Sequence, residues 1–191
     1  DFALLEFTAT SSLALHIYSE TAALMRSFPI DFVPPDVMNM DWRLVGAREH
    51  FCFTGSGFLA WRFPNGQFSN VNLGETPRSL HLSPNPKNFE ALVTLSVEVL
   101  LVVIEKVGKQ PETINLHSSH HMTPVACYLP DGSIVIAYDG SGMIYPAHDR
   151  INPSATLSLP TDAGKPVDIA ACGNGGFAIL TDKGNLLVFA Q

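Results

Sequence analysis

Hydrophobic residues fall along this chain in short runs rich in Val, Ile, Leu, Phe and Thr, cut by Gly, Pro, Asn and Asp. A sustained 3.6-residue period is missing. The best helical stretch, Thr21 to Phe28, amounts to a turn or two and meets Pro29. The pattern therefore predicts mostly β-structure. It is clearest near the C-terminus, where Pro166 to Cys172, Phe177 to Thr181 and Leu186 to Ala190 read as three strands of a meander. Gly173-Asn174-Gly175-Gly176 makes the first turn, and Lys183-Gly184 gives the second the positive φ that a tight hairpin needs.

The same unit recurs upstream. Val125 to Leu129, Ser133 to Tyr138 and Gly142 to Tyr145 are separated by Pro130-Asp131-Gly132 and Asp139-Gly140-Ser141, and Ala155 to Leu159 follows Asn152-Pro153. Before them come Arg78 to Leu82, Phe89 to Ser96, Val99 to Lys106 and Thr113 to Leu116. Earlier still are Met40 to Val45, His50 to Thr54, Phe58 to Phe63 and Phe68 to Leu73. The leading segment gives Leu4 to Thr8, Leu13 to Tyr18 and Ala22 to Phe28. First strands begin near Met40, Arg78, Val125 and Val167, about 38 to 47 residues apart, which suits a four-stranded propeller blade.

The expected fold is all-β, a β-propeller segment of about four to five four-stranded antiparallel blades, with a β-sandwich as the alternative. The blades divide as 1–36, 37–76, 77–122, 123–164 and 165–191, one propeller segment across residues 1–191. At roughly 42 residues per blade the length is not a whole number of blades, and the chain opens at Asp1 inside an apolar stretch; the reading is of a piece of something longer.

Composition narrows the function. Only 15% of residues are charged, 46% are hydrophobic, and the formal net charge is −7, so the chain is neither disordered nor a phosphate binder. Eleven Lys and Arg residues form no cluster, which argues against nucleic-acid contact by this segment. Cys52, Cys127 and Cys172 are odd in number and widely spaced, as in a reduced intracellular chain with buried thiols. The longest apolar run, Ala91 to Ile104, is broken by Glu98 and is too short for a membrane helix; no signal-peptide pattern is present.

The chain resembles a divergent WD-repeat-type β-propeller. Arg78-Ser79-Leu80-His81-Leu82-Ser83-Pro84 looks like the innermost strand of a blade with its exit turn, and Gly176 to Ala190 like a closing blade. No unit ends in Trp-Asp and none opens with Gly-His, so the repeats are of the degenerate kind found in large scaffolding subunits. The order of units in Ile17 to Phe32, Arg78 to Val107 and Pro130 to Ala190 is similar to the propeller region of the largest Elongator subunits, scaffolds for tRNA wobble-uridine modification. Coat, tethering and nucleoporin-type scaffolds share most of the same features.

Each chemical candidate stands beside a plainer reading. His117, His120 and His121 have spacings that zinc ligands use, but Ser118, Ser119 and Met122 surround them in what reads as a solvated inter-blade loop. Gly173 to Ala178 fits G-x-G-x-x-A, yet a β run follows where a dinucleotide site needs a helix. Gly55-Ser56-Gly57 and Gly140-Ser141-Gly142 lack the full nucleophile-elbow pattern and sit at hairpins. His148-Asp149 has no serine tied to it. Trp42, Trp61, Phe63 and Phe68 cluster in one unit, and read either as inter-blade core or as a surface contact with another part of the same assembly.

The expectation is an interaction scaffold without catalytic residues, metal or cofactor, in an intracellular, cytoplasmic assembly. Its partners would be other protein subunits or the rest of the same chain, met by rim loops such as Leu116 to Thr123 and Tyr145 to Pro153. The rival is a propeller hydrolase or lyase using Asp41, His81 and Asp168 on the innermost strands.

Overall fold

A computed structural model describes residues 2–7, 13–30, 43–47, 50–55, 57–63, 66–85, 89–104, 109–173 and 175–190. The described residues carry eighteen strands in five antiparallel sheets and no helix. Each sheet is a meander, because short turns return the chain directly onto its own neighbour. Contacts divide the chain into two compact units, Asp1–Thr76 and Pro77–Gln191.

The first unit holds two sheets. One is β1 (Phe2–Phe7), β2 (Leu13–Tyr18) and β3 (Leu24–Ile30); the other is β4 (Arg43–Ala47), β5 (His50–Gly55), β6 (Phe58–Arg62) and β7 (Phe68–Asn72). The strand read at Ala22 to Phe28 is β3 with its ends two residues later, an edge strand in which Pro29 faces Ala14. Proline is tolerated there because an edge strand bonds on one side only. The unit's core joins Leu13, Leu15 and Ile30 to Phe53, Phe58 and Ala60. Trp61 is fully buried, Phe63 packs edge-on against it, and Phe68 lies edge-on to Phe53, so these aromatics are core. Trp42 lies outside the described residues.

The second unit holds three sheets in succession. The first is β8 (Ser79–Leu82), β9 (Glu90–Thr94), β10 (Glu98–Val103) and β11 (Glu112–Ser118). The second is β12 (Val125–Tyr128), β13 (Ile134–Tyr138), β14 (Ser141–Tyr145) and β15 (Ala155–Ser158). The third is β16 (Pro166–Ala171), β17 (Phe177–Thr181) and β18 (Leu186–Phe189). The leading strands lie side by side, β12 between β8 and β16. Sheets therefore stack face to face, as the blade reading requires.

Stacking explains the unbroken apolar runs. β9 and β13 are buried at every position, and β13 is so because sheet covers both of its faces. One core, with Leu92, Leu101, Ile134 and Ile136, fills the space between the first two sheets of this unit. A second, with Cys127, Val135, Ile169 and Ile179, fills the next. Gly142 shows how close neighbouring strands run within the middle sheet: a Cβ there would stand 2.6 Å from the Ile136 carbonyl oxygen on β13. On the last sheet, Leu180, Leu186 and Val188 are exposed.

Candidate functional site

The starts of β8, β12 and β16 converge on one rim of the second unit. A cleft of about 220 Å³ opens there, lined by Arg78, the His121–Thr123 segment, Asp139, Lys165 and Asp182. Its wall is stitched by short-range bonds. The Lys165 amide donates to Asp182 Oδ1 at 2.8 Å, and the Asp182 amide returns to the Lys165 carbonyl at 2.9 Å. Thr181 Oγ1 and Asn185 Nδ2 both donate to the Ala163 carbonyl, at 2.6 and 2.8 Å. Gly164 is required between them: its φ is +97°, and a Cβ would lie 2.4 Å from Asp182 Oδ1. Lys165 Nζ stands 3.7 Å from Asp139 Oδ2 across the cleft, an exposed pair that contributes charge pattern more than stability.

A smaller cavity of about 100 Å³ shares Arg78 and Val167 with the cleft and is lined further by His81, Thr94 and Asp168 of the leading strands and β9. The structure thus brings together two of the inner-strand residues picked out in the sequence, His81 and Asp168. Asp41 lies outside the described residues. The Thr94 hydroxyl is buried with no hydrogen-bond partner among the described residues, a position that nothing local in the sequence marks.

The histidine cluster is not assembled as its spacing suggested. β11 runs on to Ser118, so His117 is a strand residue, half-buried, rather than part of a solvated loop. Its ring stacks on Tyr138 of the next sheet, 4.3 Å between centroids and 15° from parallel. Burial holds its pKa below the ordinary histidine value. His120 and His121 are exposed, their rings 6.4 Å apart. Among the described residues no group of three or more His, Cys, Asp or Glu is placed to hold a metal ion.

The opposite rim carries a braced loop after β14. Arg150 donates to the carbonyls of Gly132 and Pro146, at 3.0 and 3.3 Å, and pairs with Glu90 Oε2 at 3.0 Å. The Tyr128 hydroxyl reaches the same carboxylate oxygen at 3.5 Å. Asp149 Oδ1 accepts from the Ile151 and Asn152 amides, and Asn152 Nδ2 donates to Oδ2. These bonds, the Asn152 side chain first, hold the Asp149 carboxyl down at about 2. Asp149 is therefore a loop brace, not half of a triad. The loop presents Ile151 with 78% of its surface in water.

The remaining motifs are turns and strand ends. Gly140 turns with φ +73°, and Ser141 Oγ donates to the Leu157 carbonyl. Gly57 turns with φ +75° and Gly175 with φ +85°; Ser56 and Asn174 lie outside the described residues. Cys52 and Cys127 are buried and Cys172 half-buried, all three as free thiols. Burial pushes the Cys127 thiol up to about 12, with Asp168 and Cys172 adding to it. No helix among the described residues is long and apolar enough to cross a membrane.

No family model and no curated protein sequence matches the chain. Solved structures do. The β-propeller domain of Cps50 (Swd1) from Myceliophteria thermophila aligns with TM-score 0.67 and 15% identity, over 97% of this chain and 64% of that one. The WD40 domain of SCAP from fission yeast aligns with TM-score 0.62 and 12% identity, over 97% and 51%. Virginiamycin B lyase from Staphylococcus aureus gives TM-score 0.57 and 10% identity, over 98% and 69%. The chain thus spans about two thirds of the Swd1 domain and half of the SCAP domain. Identities this low carry the fold and not the function, since one fold hosts both binding domains and enzymes. Antiparallel sheets that stack through their leading strands in the second unit, together with these likenesses, show an all-β fold similar to that of β-propellers.

Proposed function

We propose that the chain is a non-enzymatic protein-interaction platform in a larger intracellular assembly. The observation that carries this reading is the rim cleft. It is concave, bears both signs of charge, and is lined from three successive sheets, with the loop leading into β16 held to the β17–β18 hairpin by the bonds around Ala163, Lys165 and Asp182. A surface ordered before contact loses little entropy on binding, which favours a protein partner of matching charge pattern. Ile151 on the opposite rim offers a second contact, an apolar side chain on a loop already held by Asp149 and Arg150.

Within that class we read the assembly as Elongator-like, on the order of units quoted above; coat, tethering and nucleoporin-type complexes are the alternatives. The test is quantitative co-purification with the full-length protein. Arg78→Glu with Lys165→Glu should deplete a defined set of subunits at least tenfold while the fold is retained. The subunits lost name the assembly. Retention of every subunit by the charge-reversed protein would refute the cleft as the contact surface.

One observation favours a second reading, a propeller lyase or hydrolase: His81 and Asp168 line the same small cavity. Turnover in a hydrolase or lyase screen that disappears in His81→Ala and Asp168→Ala would replace the scaffold reading with this one.

A further inference from the structure

Resting on the reading of the cleft as the partner-contacting face, we propose that His117 is a pH-operated latch on that cleft's wall. Two contacts pin the last strand of one sheet to the next. The Tyr145 hydroxyl donates to the Leu116 carbonyl at 2.7 Å, and the His117 ring lies flat on Tyr138. Directly after this point the chain turns at Ser119, whose hydroxyl accepts from the His121 and Met122 amides at 3.3 and 3.1 Å. Met122 packs on the core that contains Tyr138 and Tyr145. His121, Met122 and Thr123 then line the cleft. The wall is thus one short segment away from the stacked imidazole.

The chemistry follows from the ring's surroundings. His117 Nε2 is buried and has no hydrogen-bond partner among the described residues. Protonation makes both ring nitrogens donors, so Nε2 would carry an N–H without an acceptor on a charged ring. The ionisable groups around it are Tyr138 and Tyr145 on the facing sheet, Glu98 on β10, and His120 and His121 in the turn. Burial raises the Tyr145 pKa above the ordinary tyrosine value, so that phenol stays neutral. Glu98 Oε1 is taken by Asn115 Nδ2 and Ser118 Oγ, at 3.2 and 3.3 Å. The Tyr138 face offers an imidazolium some attraction, but loss of solvation prevails, in the direction burial gives this histidine. The imidazolium therefore leaves the stack for water, taking a proton from solvent. The end of β11 and the Ser119–Thr123 turn loosen with it, so the cleft keeps its wall at neutral pH and loses its shape in acid.

Two measurements on the free 191-residue chain test this without any partner. In NMR titration the His117 ring protons should shift with a midpoint below about 6.5, the value of an unperturbed histidine. Amide exchange at 119–123, corrected for intrinsic pH dependence, should rise about tenfold relative to β13 for each unit of that depression on going from about pH 7.5 to about pH 5. His117→Phe keeps a ring for the stack and removes the titration; His117→Gln removes both. Phe should abolish the acid response with a closed segment, and Gln should give fast exchange at every pH. A midpoint at or above about 6.5, or an unchanged acid response in His117→Phe, would overturn the latch. Failure of the cleft reading shows elsewhere, as partner binding indifferent to Arg78→Glu and Lys165→Glu.

Discussion

Removing both members of the Glu90–Arg150 pair should destabilise the second unit by less than the two single losses added together. The two side chains are 10% and 11% exposed, and the pair joins β9 of one sheet to the loop after β14 of the next. Arg150→Ala leaves Glu90 with the long Tyr128 contact as its remaining partner here and strips donors from the Gly132 and Pro146 carbonyls. Glu90→Ala leaves a buried guanidinium that still has those two carbonyls. Losing one partner of a buried pair costs about 3–5 kcal/mol; Arg150→Ala belongs in that range, and Glu90→Ala near or just below its lower end, at about 2–3 kcal/mol. The double variant should fall short of the sum by at least about 1 kcal/mol, because neither leaves a stranded charge. Urea unfolding followed by tryptophan-independent far-UV dichroism measures all three, with the m-value checking that the same surface unfolds. Single costs below about 1 kcal/mol that add in the double variant would mean that the pair behaves as a solvated surface bridge, and the inter-sheet clamp would be refuted.

Gly142→Ala should cost about 3 kcal/mol in the same assay, since its Cβ would meet the Ile136 carbonyl oxygen at 2.6 Å and Leu157 Cδ1 at 3.1 Å on the two flanking strands; a neutral effect would show that these strands can shift apart there. The Asp149 carboxyl should titrate near 2 by NMR. A depressed acid contributes order above its unfolded value near 3.8, and that order is lost as pH falls through about 2, so the Ile151 and Asn152 amides should stay protected at pH 4; a normal midpoint would remove the brace. Leu186→Ser with Val188→Ser should lower concentration-dependent self-association of the isolated chain in sedimentation, because both side chains stand about two-thirds exposed; unchanged association would clear this face of the effect.

Strand positions were legible because a blade is local: each strand pairs with its sequence neighbour, so Gly, Pro and Asp-Gly punctuation marks every turn. Pro130-Asp131-Gly132 is such a case, with the Ser133 amide on Asp131 Oδ1 at 2.9 Å. The misreadings lie where local pattern is weak. β11 is the outer strand of its sheet, with exposed Glu112, Thr113 and Asn115, and its polar end at His117 and Ser118 gave no apolar alternation to extend it. The strand read at Ala22 to Phe28 runs instead over Leu24–Ile30, because an edge strand bonds on one side only and can carry Pro29 inside it. The sites were less legible. Glu90 and Arg150 are sixty residues apart, and Leu116 and Tyr145 twenty-nine, brought together by how sheets stack rather than by any spacing. Only the Asp149 turn had a local signal, Asp and Asn followed by Pro153.

The same stacking logic gives the last sheet its meaning. β13 reads Ile-Val-Ile-Ala-Tyr and is buried throughout because sheets cover both faces. β17 reads Phe-Ala-Ile-Leu-Thr, equally apolar, but its burial alternates: Phe177 and Ile179 lie in the core while Leu180 is exposed. Its neighbour β18 repeats this, with Leu187 and Phe189 packed inward and Leu186 and Val188 in water. A strand meant to face solvent on one side alternates apolar with polar. These two strands keep an apolar composition on both sides, so their sequence is that of a covered layer although one face is open. The scarcity of charge in the chain is thus not evenly spread: part of it lies on a face whose composition suits contact with another sheet.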